Sequence, residues 1–194
     1  MSVYVLAPIS RTRDECAPMW FDDDACTWDE PSLHKAASLK DVWQAPQLRL
    51  HRPATVPTQV LFNPNAFAVS DPVRSKLSVF SEIEFLPVQI AMHGTFFILH
   101  VVACIPIPEG CNAHRPSNRG NPGNVVLVHS FPDGFHTKHP FFRLLQPADS
   151  PWGRQGGCMQ ATYLTAEGRK AIESVCSGLL YGAPLPRPLT HRCD

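Results

Sequence analysis

The sequence predicts an α+β fold: a single domain over residues 1–183, built as a mainly antiparallel sheet with two or three helices packed on it, and a proline-rich tail at residues 184–194. Two observations carry that expectation. Apolar runs with strand-like alternation recur along the chain, and two stretches, VSDPVRSKL (residues 69–77) and LTAEGRKAI (residues 164–172), share one strand-to-helix design. A third sets its limits: 20 prolines in 194 residues is about twice the average usage of roughly 5%. That restricts helix and calls for long, rigid loops. The length suits one domain, and a chain of this size buries about 70% of its unfolded surface without a disulfide staple.

Residues 3–9 form a short β-rich run suited to an edge or second-layer strand. In residues 31–42, Leu33, Ala36, Ala37 and Leu39 fall near helical spacing, which predicts a helical turn or two. Leu48 and Leu50 alternate with Arg49 and His51, and residues 60–62 give a further extended piece before the Asn63-Pro64-Asn65 turn signal. Residues 67–90 carry the most regular pattern. Phe67, Ala68 and Val69 close a strand, and Ser70 suits an N-cap because its hydroxyl can accept a first-turn N–H. Asp71 favours the positive helix end, and Pro72 is tolerated there. Val73, Leu77 and Phe80 then form one apolar stripe.

Strand alternation resumes at residues 83–90. Residues 96–103 (FFILHVVA) are the longest apolar run, predicted to pair antiparallel with residues 84–91 across a Met92-His93-Gly94 turn. His100 inside it reads as a hydrogen-bonded core histidine, since the sequence shows no charged or metal-ligating company for it. Residues 106–124, with Pro106, Pro108, Pro116 and Pro122, read as one long loop. Strands follow at 125–128 and 141–144, around a Pro132-Asp133-Gly134 turn, and residues 146–157 form a polar loop. At Tyr163 the corner design repeats. Thr165 takes the cap role and Glu167 the first turn, while Leu164, Ala171, Ile172, Val175 and Leu179 supply the apolar face; Gly178 or Gly182 ends the helix.

With 17 basic and 17 acidic side chains the formal net charge is zero, and no Lys/Arg cluster offers a phosphate-binding patch, so nucleic-acid binding is not expected. The N-terminal apolar run is too short for a signal peptide and no 18-residue apolar segment follows, so a cytoplasmic protein without membrane contact is expected. In that compartment thiols stay reduced. All seven cysteines (16, 26, 104, 111, 158, 176, 193) therefore read as free, with Cys104 and Cys176 in apolar surroundings.

The chain lacks GxSxG, P-loop, GxGxxG and HExxH signatures, so neither catalytic nor cofactor residues are assigned. Two constellations stay open. His129, His136, His139 and Cys158 could make a zinc site or a Cys–His centre, although only His136 and His139 have usable spacing. Trp20, Phe21 and Trp28 flank Asp22, Asp23 and Asp24, with Asp29 and Glu30 beyond. These read as core aromatics joined by a solvated acidic turn, or else as an acidic, aromatic-edged patch for a basic partner.

The segments LFNPNAFAVSDPVRSKL, IEFLPVQI, FFILHVV, PFFRL and YLTAEGRKAIESVCSGLLYG, spread over about residues 42–182, carry a resemblance. In their V-S-D helix entry, E-F-x-P-V strand, F-F-R-L strand and terminal helix ending in glycine, they resemble an immunity-protein family of bacterial polymorphic toxin and type VI secretion systems. The loop at 106–124 and the acidic stretch depart from that pattern. The resemblance implies a small cytoplasmic protein, encoded beside a toxin or effector, that binds and blocks it without a cofactor; a homodimer stays open. It also implies contact surfaces on the irregular parts: Trp20, Asp22, Asp23, Asp24, Trp28, Asp29 and Glu30 on one stretch, and Glu109, His114, Arg115 and Arg119 on the other. An adaptor that carries a secreted effector, and a small Cys/His-dependent enzyme or zinc protein, are the alternatives.

Overall fold

The longest apolar run pairs with the strand before it, as its pattern requires. The computed structural model describes residues 2–8, 16–21, 33, 35–50, 60–63, 66–114, 117–118, 121–122, 127–147, 157–158, 161–176 and 180–185. In chain order its elements are β1 (Tyr4–Pro8), β2 (Cys16–Phe21), β3 (Gln47–Leu50), β4 (Val60–Asn63), β5 (Ala66–Val69), α1 (Asp71–Leu77), β6 (Ile83–Ile90), β7 (Gly94–Val101) and β8 (Cys104–Ile105). They continue with β9 (Asn112–His114), β10 (Ser117–Asn118), β11 (Asn121–Pro122), β12 (Leu127–Ser130), β13 (Phe141–Leu144), β14 (Tyr163–Leu164), α2 (Ala166–Val175) and β15 (Leu180–Pro184). The class is mixed α+β with mostly antiparallel pairing and, among the described residues, two α-helices.

Strands β6 and β7 are antiparallel in full register, from Ile83 opposite Val101 to Ile90 opposite Gly94. Gly94 takes φ 83°, a conformation that side chains resist, which is why glycine closes this turn. The hairpin belongs to a closed barrel of order β2-β3-β6-β7-β5-β4, in which β2–β4 and β3–β6 are parallel. Alternation sorts each strand into two apolar faces. Leu48, Ala66, Ala68, Leu86, Val88, Ile90, Phe96 and Ile98 meet in one core. Val69, Ile83 and Val101 point the other way, onto both helices. Since the helices lie outside, the first set fills the barrel.

A five-stranded sheet, order β15-β1-β14-β13-β8, forms the next layer, antiparallel except at β8–β13. Leu6, Phe141 and Leu164 face the helices. Val3, Val5, Phe142, Leu144 and Tyr163 face the opposite way, under Phe131, Phe135 and Ile107. The helices are thus held between barrel and sheet, and Leu77 and Ile172, with no exposed surface, each contribute about 1.5–3 kcal/mol of burial.

The two strand-to-helix corners do match in structure. Arg74 stacks over the Phe97 ring at 4.6 Å, and Arg169, at the equivalent position, over the Tyr4 ring at 4.5 Å. They differ at the cap. The Thr165 hydroxyl accepts the Gly168 N–H at 3.4 Å, whereas the Ser70 hydroxyl makes no cap bond. Pro72 stands in the first turn of α1 and removes one of the N–H groups such a cap would serve.

Several expectations are corrected. Of residues 31–42, expected to hold a helical turn or two, Leu33 is in a 3₁₀ turn, 35–42 contain no helix, and 31, 32 and 34 lie outside the described residues. Leu39 accepts from the Val42 and Trp43 amides in a turn, and Lys35 bridges to Gly157. Residues 106–124 are not a loop throughout: β9 pairs with β12, and β10 with β11. The strand expected at 125–128 runs Leu127–Ser130. Helix α2 ends at Val175, and Gly182 lies in β15 opposite Leu6, where a Cβ would come within 3.0 Å of Tyr4 Cβ. Pro184 ends β15 and the Leu185 N–H reaches the Val3 carbonyl at 3.3 Å, so residues 184 and 185 of the expected tail pair with the sheet, and residues 186–194 lie outside the described residues.

Gly168 exposes a further constraint. A Cβ there would lie 2.2 Å from the Pro140 carbonyl oxygen, which also accepts from the Thr165 N–H at 3.0 Å. Because the obstruction is backbone, Gly168→Ala is expected to cost about 1–3 kcal/mol through overpacking. Calorimetry of the variant should show a Tm lowered by several degrees; an unchanged Tm contradicts this packing.

Candidate functional site

Three ionisable residues stand inside apolar strands: Glu84 in β6, His100 in β7 and Arg143 in β13, only 4%, 2% and 5% exposed. Pairing brings them together. Glu84 lies directly opposite His100 in the β6–β7 ladder, on the face that continues the barrel interior. Arg143 shares the parity of Phe141, so it leaves the five-stranded sheet toward the barrel.

The contacts fix the protonation pattern. Glu84 Oε2 accepts from the Leu39 N–H at 2.9 Å and lies 3.2 Å from His100 Nδ1. His100 Nε2 lies 3.4 Å from Arg143 Nη2. A carboxylate only accepts, so Nδ1 carries the imidazole proton and gives it to Glu84; Nε2 lies between a donor, Arg143 Nη2, and an acceptor, the Lys35 carbonyl at 3.3 Å, and in the neutral ring it accepts from Arg143. Arg143 Nη1 donates to the Leu33 carbonyl, and Nη2 to the Lys35 carbonyl at 2.6 Å. Leu33 and residues 35–39 are thereby strapped across this end of the barrel, with Leu33 and Leu39 in its core. Beside them Glu82 Oε1 accepts the Phe141 N–H at 3.2 Å, and Trp43 Nε1 donates to the Pro87 carbonyl at 2.8 Å.

Burial lowers the Arg143 pKa to about 10, so the guanidinium stays charged at neutral pH. Burial and the Arg143 charge together hold His100 below the ordinary imidazole value, against the pull of Glu84. Burial opposes ionisation of Glu84, but hydrogen bonds from Ser38, Leu39 and His100 outweigh it and leave the carboxyl below its usual range. The cluster is one negative and one positive charge joined through a neutral imidazole. A carboxylate–imidazole pair resembles an activated base, but both imidazole nitrogens here are engaged by protein groups and the ring is sealed from solvent. The arrangement positions backbone; it does not present a reacting atom.

His100 is therefore the hydrogen-bonded core histidine expected, and it has the charged company the linear sequence did not reveal. Glu84 and Arg143 were legible in one way: each is a lone charge within an apolar strand, IEFLPVQI and FFRL, and the two signs balance.

The thiols read differently from the expectation. Cys104 and Cys158 form a disulfide; Cys104 is half-buried rather than buried, and Cys158 is buried. That linkage removes the Cys158 thiolate from the zinc or Cys–His alternative. Among the described residues no three His, Cys, Asp or Glu side chains are grouped to hold a metal. His136 is exposed, and burial raises the Cys111 pKa, which weakens it as a nucleophile.

Of the expected contact residues, Glu109 is exposed on a turn. Trp20 falls in β2 opposite Arg49, and His114 in β9 opposite Leu127. Asp22, Asp23, Asp24, Trp28, Asp29, Glu30, Arg115 and Arg119 lie outside the described residues. A shallow pocket of about 180 Å³ at the start of α2 is lined by Thr137, Lys138, Pro140, Thr165, Ala166 and Glu167. Among the described residues no helix is long and apolar enough to cross a membrane. In comparisons with known proteins, no family model matches the chain and no curated protein matches it.

Two outcomes follow from the cluster. Arg143→Met would leave the Leu33 carbonyl without its donor, at about 1–3 kcal/mol for a buried orphan, and would take a donor from the part-buried Lys35 carbonyl; chemical denaturation should show a lowered midpoint. Acid should also destabilise the fold. Unfolded His100 takes up a proton near the ordinary value of about 6.5, while the folded ring resists it. That stability is full above 6.5 and is lost as pH falls toward the depressed folded value. Glu84 adds a second loss below 4.5, as pH falls through its own lowered value. Tm should therefore drop between about pH 7.5 and 5.5, and His100→Gln should flatten that interval.

Proposed function

We propose that this protein is a binding protein of the toxin-immunity class, which neutralises a bacterial toxin by occupying it rather than by chemistry. What supports the reading is where the resembling segments fall. LFNPNAFAVSDPVRSKL makes up β4, β5 and α1; IEFLPVQI is β6; FFILHVV is most of β7; PFFRL carries β13; and YLTAEGRKAIESVCSGLLYG carries β14, α2 and part of β15. Together they supply four of the six barrel strands, both described helices and the middle of the second sheet, and Val69, Ile83, Phe141 and Ile172 from them share one core. The matching residues are framework, and the buried Glu84–His100–Arg143 cluster serves that framework too.

The contact surfaces proposed for the toxin are the acidic, aromatic-edged stretch at residues 20–30 and the turn carrying Glu109. The expected cytoplasmic location is tested by the state of the thiols. With Cys104 and Cys158 reduced the chain suits the cytoplasm, and with the disulfide formed it suits an oxidising compartment.

Co-expression tests the reading. Cells carrying the effector encoded beside this protein should regain growth when the protein is supplied, and the two should co-purify. Growth arrest that persists despite co-purification leaves an adaptor, and no association at all overturns binding. Asp22→Ser, Asp23→Ser and Asp24→Ser combined should weaken the complex about tenfold or more if the acidic stretch steers and anchors the partner, with Tm unchanged.

A further inference from the structure

Two separate fastenings meet on Leu33 and residues 35–39. One is the Arg143–His100–Glu84 cluster, which takes the Leu33 and Lys35 carbonyls and the Leu39 N–H. The other comes from residues 157–158. Lys35 makes an antiparallel bridge to Gly157, Leu145 makes one to Cys158, and the Gln146 N–H donates to the Gly157 carbonyl at 2.9 Å. Among the described residues these are isolated bridges rather than a ladder, and a segment held by few hydrogen bonds is held weakly. What anchors residues 157–158 covalently is the disulfide to Cys104 in β8, which lies parallel to β13 with Cys104 beside Arg143.

We propose that the Cys104–Cys158 pair is a redox clasp that controls the strap at Leu33 and residues 35–39 while leaving the barrel intact. The chemistry is a two-electron exchange with a dithiol reductant. Cys104 is the more open sulfur, so an incoming thiolate attacks its Sγ. The S–S bond breaks, Cys158 leaves as a thiolate and takes up a proton, and the second thiol of the reductant closes its own disulfide while Cys104 is released as a thiol. Among the described residues, 157–158 then keep their isolated bridges, and Lys35 loses a fixed neighbour. Barrel strands β6 and β7 pair over their whole length and share no contact with the disulfide that their register needs. The inference does not rest on the toxin reading, because it concerns the strap alone.

Peptide mapping under non-reducing conditions, followed by amide exchange with and without dithiothreitol, tests it on the full chain. A linked Cys104–Cys158 peptide is expected. Reduction should then accelerate exchange at Leu39, Val42 and Trp43 about tenfold or more through local opening, with β6 and β7 amides unchanged. Cys104→Ser should show the same pattern without reductant, and Cys111→Ser should not. Absence of the linked peptide overturns the proposal. So does reduction that leaves residues 39–43 unchanged, or that accelerates β6 and β7 equally, since the latter makes the disulfide a global staple.

Discussion

A guanidinium withdrawn from water needs acceptors for its N–H groups, because a buried charge left without partners costs several kcal/mol. Arg143 Nη1 and Nη2 meet that demand with two backbone carbonyls and an imidazole nitrogen, each from a different part of the chain than its own strand, while its buried Nε has no partner. The requirement works in both directions. The carbonyls of Leu33 and Lys35 lie in an irregular segment that offers them no ladder, and buried carbonyls need donors as much as Arg143 needs acceptors. Replacing such a cluster by apolar side chains is often neutral or stabilising in other folds. Its contribution here is positional: it joins barrel, second sheet and the segment across the barrel end at one point.

The remainder of the architecture is arranged around that junction. The helices fill the space between barrel and sheet, and the paired arginines of the two corners, Arg74 and Arg169, lie on aromatic rings of the flanking strands. Each guanidinium also holds an acidic neighbour on its own helix, Asp71 and Glu173 respectively. These exposed pairs are worth little by themselves; their value is in keeping the stacked side chains over their rings. The repeated corner is thus a repeated device for seating a helix on a sheet.

How far the sequence reveals this depends on the range of each interaction. The β6–β7 hairpin was legible because alternation and a turn residue act locally, and the corners were legible for the same reason. Closure of the barrel was not, since the parallel contacts of β2 with β4 and β3 with β6 join segments that carry no local sign of one another. Residues 31–42 had helical spacing, yet the carbonyls a helix would use internally are taken by Arg143. The prolines of 106–124 suggested a loop, but Asn112, Ala113 and His114 lie between them and are free to pair with β12. The disulfide could not be read from spacing, which does not encode connectivity. The cluster itself was half visible: three charged or titratable residues in apolar strands were in view, but only the ladder shows that two of them face each other.

Strand β1 lies between β14 and β15, and its five residues pair with Leu180 through Pro184. Nearly the whole chain separates those partners, so the second sheet has very high contact order, whereas the β4–β5 and β6–β7 hairpins are local. Loop-closure entropy delays such distant pairing. The order of assembly that this geometry favours is hairpins first and second sheet last. A ribosome releasing the chain would hold β1 unpaired until β14 and β15 emerge, and during that interval its apolar residues Val5 and Leu6 depend on chaperones or on speed of synthesis for protection.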